Sequence, residues 1–271
     1  MQSIDVAGTR VRYEDAGTGP PLVLAHGLGQ SSTGWRRATE TLARTRRVIA
    51  LDFPGFGASD IPSGASYDPE YFADVFAGFV AALQLERVDA AGHSAGGLVI
   101  LLDALAHPER YGHVVLVDPA GFTPAPDNLL GTAAVSLVRL LVSIPRNRAM
   151  TRALYSTAFY NPRMLDEETV DEIARRRANP AAKAASRRAF TKFFDYCRRL
   201  EPLHERLQSL AVPVLVIWGS DDRLFRASDA SVAERVLRHA RIERIERCGH
   251  CPHIECPAQF AAMVLEFLST T

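Results

Sequence analysis

A serine at position 94 stands between a short apolar run, residues 87–91, and a longer one, residues 95–106, with glycine two places to either side: Gly92-His93-Ser94-Ala95-Gly96-Gly97. The first run has the length of a strand and the second the length and Leu/Ala content of a helix. A strand that turns into a helix through one residue strains that residue's backbone and exposes its side chain. Cβ atoms at positions 92 or 96 would strike the neighbouring strand and helix, so both glycines answer a demand of the turn. As a bare pattern G-x-S-x-G is common. At a strand-to-helix junction it marks Ser94 as a nucleophile candidate rather than part of an inert glycine-rich turn.

The rest of the chain alternates in the same way. Residues 2–15 read as an edge hairpin turning at Gly8-Thr9, 21–26 as a buried strand, 33–44 as a helix and 47–52 as a strand. Apolar residues Phe72, Val75, Phe76, Phe79, Val80 and Leu83 recur on one face of a helix over 69–85. A strand at 114–117 follows the Ser94 helix. After a gap come a strand at 212–218, a helix near 229–239, a strand near 241–246 and a helix at 257–268. This order predicts an α/β fold with a mostly parallel central sheet flanked by helices on both faces. Residues 121–208 hold no convincing strand. They are expected to form a helical cap (lid) inserted in a core made of 1–120 and 209–271, over the strand ends where open α/β sheets bind ligands. Within it, 129–144 is nearly all apolar but too short and interrupted for a membrane span, and reads as a buried lid helix or the wall of an apolar tunnel.

Composition removes several classes. In 271 residues, 31 Lys and Arg balance 31 Asp and Glu, so no nucleic-acid partner is expected. The first twenty residues carry Asp5, Glu14 and Asp15 and no apolar core of a secretory signal, so a cytoplasmic location is expected. Runs such as Arg175-Arg176-Arg177 read as solvated helix faces. Three of the four cysteines lie at 248, 251 and 256, interleaved with His250 and His253. A zinc site draws on two separated ligand pairs and no second pair is present, so neither metal nor cofactor is expected.

Five motifs in order make the chain resemble the α/β-hydrolase fold superfamily over nearly its whole length. They are His26-Gly27-Leu28-Gly29, Asp52-Phe53-Pro54-Gly55-Phe56-Gly57-Ala58-Ser59, the turn at Ser94, Trp218-Gly219-Ser220-Asp221-Asp222-Arg223, and Cys248-Gly249-His250. The resemblance implies a serine–acid–histidine order along the chain. Ser94 would attack a carbonyl carbon, and His250 would take its proton and pass it to the leaving group. The acid implied is Asp222, three residues after Gly219, with Asp221 and Asp118 as alternatives. The resemblance also places an oxyanion hole at the backbone N–H groups of Leu28 and Ala95. His26 reads as structural, His93 lies beneath the nucleophile, and His253 falls three residues after the motif.

The resemblance leaves two reactions. One is hydrolysis of a carboxylic ester with a small to medium, hydrophobic acyl group through an acyl-enzyme on Ser94. The other is carbon–carbon bond hydrolysis of the meta-cleavage-product type. Those hydrolases usually carry Asn before the nucleophile and Trp after the histidine, where this chain has His93 and Cys251, so ester hydrolysis is the expectation. A catalytically inactive binding relative is the third reading. Partners are expected to be a small acyl substrate and water, without stable membrane insertion, and the oligomeric state is left open.

Overall fold

The computed structural model describes residues 1–124, 148–226 and 229–269. Its centre is an eight-stranded sheet in the order β1-β2-β4-β3-β5-β6-β7-β8. The strands are β1 (Gln2–Val6), β2 (Thr9–Ala16), β3 (Pro21–Ala25), β4 (Arg47–Asp52), β5 (Val88–His93), β6 (Tyr111–Val117), β7 (Val214–Gly219) and β8 (Arg241–Ile245). β1, β2 and β4 pair antiparallel, and the six strands from β3 to β8 are mutually parallel. The β1–β2 turn uses Ala7 at φ 50 and Gly8 at φ 80, the left-handed pair that a two-residue hairpin demands.

Side-chain alternation along the parallel strands divides the core in two. Val23 and Ala25 of β3, Val114 and Leu116 of β6, and Val214, Val216 and Trp218 of β7 face one layer. Leu22 and Leu24, Val115 and Val117, and Leu215 and Ile217 face the other. The first face is covered by α2 (Pro69–Ala82) and α3 (Ala95–Ala106), the second by α1 (Arg36–Leu42) and α10 (Pro257–Leu268). Burial of both faces explains why the strands read as continuous apolar runs, each large side chain contributing about 1.5–3 kcal/mol. The entry to α2 is set by Asp68, whose carboxylate accepts the Tyr71 N–H at 2.8 Å, and by Pro69 in the first turn.

The expected elements are present with shifted ends, and the helix expected near 229–239 is α8 (Ala230–Val236). β5 runs on to His93, and a 3-10 turn (Ser32–Trp35) precedes α1. A one-turn helix, α9 (Pro252–Glu255), stands where no element was expected, because Pro252 opens it and the Cys251 carbonyl accepts from Ile254 and Glu255.

Between β6 and β7 every described element is helical: α4 (Arg148–Ser156), a 3-10 turn (Pro162–Met164), α5 (Glu167–Ala178), α6 (Pro180–Tyr196) and α7 (Glu201–Leu207). The apolar stretch 129–144 lies outside the described residues. These helices meet the loops that leave the carboxyl ends of the strands. Tyr155 donates to the Gly29 carbonyl at 3.1 Å, Arg176 to the Gly57 carbonyl at 2.7 Å and Thr33 to Glu172 at 2.7 Å. Among the described residues no helix is long and apolar enough to cross a membrane.

Gly96 sits where α3 passes over β3, and a Cβ there would overlap the carbonyls of Ala25 and His26. Gly96→Ala is therefore expected to cost about 1–3 kcal/mol through backbone displacement, read as a lowered Tm in calorimetry.

Candidate active site

β5 delivers Ser94 at φ 53 and ψ −117, a left-handed conformation that costs a non-glycine residue roughly 1–3 kcal/mol. Backbone bonds on both sides hold it. Its N–H donates to the Val117 carbonyl at 2.9 Å, and its own carbonyl accepts from Gly97 at 3.0 Å and Ala120 at 2.9 Å. Gly92 is required because a Cβ would stand 2.5 Å from the Gly96 carbonyl oxygen. The Ser94 side chain is part-exposed and takes no hydrogen bond among the described residues.

The two other expected side chains meet each other. His250 Nδ1 lies 2.7 Å from Asp222 Oδ2, with both residues buried. The second oxygen of Asp222 accepts the N–H groups of Leu224 at 2.7 Å and Phe225 at 3.0 Å, which orients the carboxylate. Asp221 points to solvent and donates its N–H to the Cys248 carbonyl at 2.9 Å, so the adjacent aspartates diverge. Phe225 sets its ring edge-on to His250 at 5.1 Å. Asp118 ends β6 behind Asp222. Ligand-type atoms of Asp118, Asp222 and His250 all lie within 4.8 Å, the one such group among the described residues. The cysteines are dispersed by packing. Cys248 and Cys256 join the core between the sheet, α1 and α10, while Cys251 packs with Phe159 and Ile254.

His93, the residue before the serine, ties the histidine loop to the turn. Its Nε2 lies 2.7 Å from the His250 carbonyl oxygen and its Nδ1 is 2.9 Å from the amide of Gln30. Burial, reinforced by His253 and His250, holds its pKa well below the usual histidine value, so the ring carries one proton. A carbonyl only accepts, so that proton is on Nε2 and Nδ1 accepts. The structure sets Gln30 Oε1 toward Nδ1 and its –NH2 toward the Cys251 sulfur at 3.7 Å, and a single ring proton on Nε2 requires that amide turned about, with –NH2 donating to Nδ1. Sequence reading also passed over Glu255. Its buried carboxylate accepts the N–H of Gly249 at 2.8 Å and of Asn161 at 3.0 Å, while His250 donates its own N–H to the Ala158 carbonyl at 2.7 Å. A glutamate six residues after Gly249 carries no pattern that would have found it.

Beside Ser94 is a narrow apolar hollow walled by Phe53, Phe56, Phe72, Val99 and Phe193, with Leu28 and Ala95 at its floor. The N–H groups of Leu28 and Ala95 have no acceptor among the described residues. That of Ala95 opens α3, where amides point outward without helical partners. His26 shapes the floor: Nδ1 donates to the Gly27 carbonyl at 2.8 Å and Nε2 accepts from Phe53 N–H at 3.1 Å, the structural part expected of it. The Arg176 guanidinium stands 5.3 Å from the centre of the ring of Phe56, one of the hollow's walls. Phe193, one of the aromatic residues of 121–208 that could wall an apolar pocket by sequence, lines this hollow, whereas Arg176, read as part of a solvated run, is part-buried against Phe56.

Two outcomes are expected. His93→Ala cuts the tether to the His250 carbonyl, and kcat should fall on the order of tenfold to a hundredfold with KM little changed, in steady-state assays. His253 is fully buried between Trp35 and His93 with neither ring nitrogen bonded among the described residues, and burial pushes its pKa down to about 3. The unfolded chain protonates this ring near 6.5, so it binds more protons than the folded one between 6.5 and about 3, and stability falls as pH drops through that window. His253→Phe should remove that loss, and its Tm advantage over wild type should widen as the medium is acidified.

The profile of the alpha/beta hydrolase family matches residues 22–263. A 2-hydroxymuconate semialdehyde hydrolase from a Pseudomonas species is 31% identical over 278 residues, covering 99% of this chain and 93% of that protein. Among solved structures, a meta-cleavage product hydrolase from Pseudomonas fluorescens superposes with a TM-score of 0.85 at 26% identity, covering 98% of this chain and 97% of that one. A membrane phospholipase A described as a bacterial virulence factor superposes with a TM-score of 0.83 at 31% identity, over 98% and 84% of the two chains. With a match across nearly the whole sequence and an eight-stranded, mostly parallel sheet flanked by helices, the chain belongs to the alpha/beta hydrolase family.

Proposed function

We propose that the protein is a serine hydrolase that cleaves carboxylic esters with a small to medium, hydrophobic acyl group. The observation that carries this reading is the hollow itself: phenylalanine walls for an acyl chain, with two amides that have no acceptor among the described residues at the floor beside a part-exposed, strained serine. The Ser94 oxygen attacks the ester carbonyl as His250 takes the hydroxyl proton at Nε2. Asp222 holds Nδ1–H and balances the charge that forms on the ring. The carbonyl oxygen, now anionic, turns to the N–H groups of Leu28 and Ala95. Collapse breaks the carbon–oxygen bond to the alcohol, which leaves with the proton from His250. A water molecule then repeats the sequence on the acyl-enzyme and frees the acid. Residues 121–208 act as a cap over this site, inserted between the core segments 1–120 and 209–271.

Carbon–carbon bond hydrolysis is the second reading, and two observations favour it. Relatives matched over nearly the whole chain are named as hydrolases of 2-hydroxymuconate semialdehyde and of 2-hydroxy-6-oxononadienedioate. Arg176, packed on the Phe56 ring that walls the hollow, also keeps one buried guanidinium nitrogen without a hydrogen-bond partner among the described residues, to which a substrate carboxylate could pair. Against it stand His93 and Cys251, where the resemblance implies Asn and Trp.

The deciding experiment offers p-nitrophenyl esters of increasing chain length and a meta-cleavage dienoate to wild type, Ser94→Ala and Asp222→Asn. Turnover of the esters is expected, lost in Ser94→Ala and reduced about 10³- to 10⁴-fold in Asp222→Asn. Turnover of the dienoate alone transfers the assignment to the second reading. Failure of a fluorophosphonate to label Ser94 in folded protein would make the chain a binding relative without catalysis.

A further inference from the structure

Asp118 lies at the end of β6, fully buried, in a left-handed conformation at φ 40. Its Oδ1 accepts the Gly219 N–H at 3.0 Å. Its Oδ2 is buried and has no donor among the described residues. The groups facing it are Asp222 from the loop after β7, and Cys248, His250, Cys251 and Glu255 from the segment that ends in α9. A thiol is a poor donor, Glu255 and Asp222 are acidic, and the His250 ring is already bonded to Asp222, so among the described residues no further cation is left to neutralise a second carboxylate. Two buried carboxylates side by side cannot both be ionised. Asp222 already accepts three N–H bonds, from Leu224, Phe225 and His250, and a carboxylate has about four lone-pair sites. One site remains, and one proton is needed.

We propose that Asp118 is a neutral carboxylic acid whose Oδ2–H hydrogen-bonds to Asp222, a positioning residue that completes the shell around the carboxylate facing His250. Burial first, and then the charge of Asp222, raise the Asp118 pKa well above the carboxylate range. The role of this bond in turnover rests on the proposed function, but the protonation state does not. With the fourth site filled, Asp222 has no lone pair free for water and cannot rotate away from the imidazole without losing a charge-assisted bond. A side chain that donates at one atom and accepts at the other satisfies both Asp222 and Gly219, and asparagine is the neutral isostere that does so.

The test compares wild type, Asp118→Asn and Asp118→Ala as full chains. The first arm is thermal unfolding as a function of pH. Above about pH 4 the unfolded chain has given up the Asp118 proton, ordinarily lost near 3.8, while the folded chain keeps it. The folded state then binds more protons, so this group's contribution to stability falls as pH rises. The Tm of Asp118→Asn relative to wild type should therefore climb from acid toward neutral pH. A difference that stays constant across that range overturns the proposal, whether or not any substrate is turned over. The second arm is the pH profile of kcat on whichever substrate is turned over. Asp118→Asn should stay within about threefold of wild type with an unmoved acid limb, and Asp118→Ala should lose about tenfold or more, with its acid limb at higher pH because Asp222 keeps more charge for the imidazole. Asp118→Asn as impaired as Asp118→Ala would mean that the position needs a charge, and would overturn the proposal. If Asp118→Ala does not fold, Asp118→Asn against wild type decides through the first arm.

Discussion

The structure turns on one strained residue. Ser94 occupies a backbone conformation that side chains avoid, and the surrounding chain makes this tolerable. β5, a central strand, carries it to the carboxyl end of the sheet, its amide is bonded to the neighbouring strand end at Val117, and its carbonyl receives the first turn of α3 and the amide of Ala120. Glycines at 92 and 96 let strand and helix approach within the space that a Cβ would fill. A parallel sheet buried on both faces supplies the rigidity for this, since both layers of side chains resist any shift of the strand. The part-exposed hydroxyl and the outward amide of Ala95 are consequences of that single turn, while the amide of Leu28 is brought beside them by the loop after β3.

A second theme is how many tethers converge on the loop that carries His250. Asp222 holds the ring at Nδ1, His93 holds the backbone carbonyl, Ala158 takes the backbone amide and Glu255 takes the amide of the residue before. Each partner comes from a different part of the chain. Two of the tethers, through Ala158 and Asn161, reach into the helical segment between β6 and β7, so the position of the imidazole depends on that segment being in place. A site built this way is preorganised by packing and hydrogen bonds together, and its precision is spread over residues that never meet a substrate.

Much of this was legible in the sequence because it is written in local patterns. Alternation of apolar residues marks strands, helical spacing marks Phe72, Val75, Phe76 and Phe79, and the glycine pair marks the turn at Ser94. The differences have local causes too: Pro252 opens α9, an element for which nothing was expected, and a 3-10 turn comes before α1. Asp221 and Asp222 could not be told apart on spacing alone, since neighbours in a turn point in opposite directions and the chain says nothing about which direction is inward.

What the sequence determined by itself is the fold class, the order of the elements and the set of residues able to carry chemistry, because these follow from periodicity and from steric demands within a few residues. What only the tertiary structure decided is which of those residues face one another. That His93 reaches His250 across 157 positions, that Asp222 and not Asp221 turns inward, that Asp118 is buried against a second carboxylate, and that Phe193 joins the wall beside the serine are all contacts between distant segments. Their energies come from burial and from hydrogen bonds closed in a low-dielectric interior, and neither exists until the chain has folded.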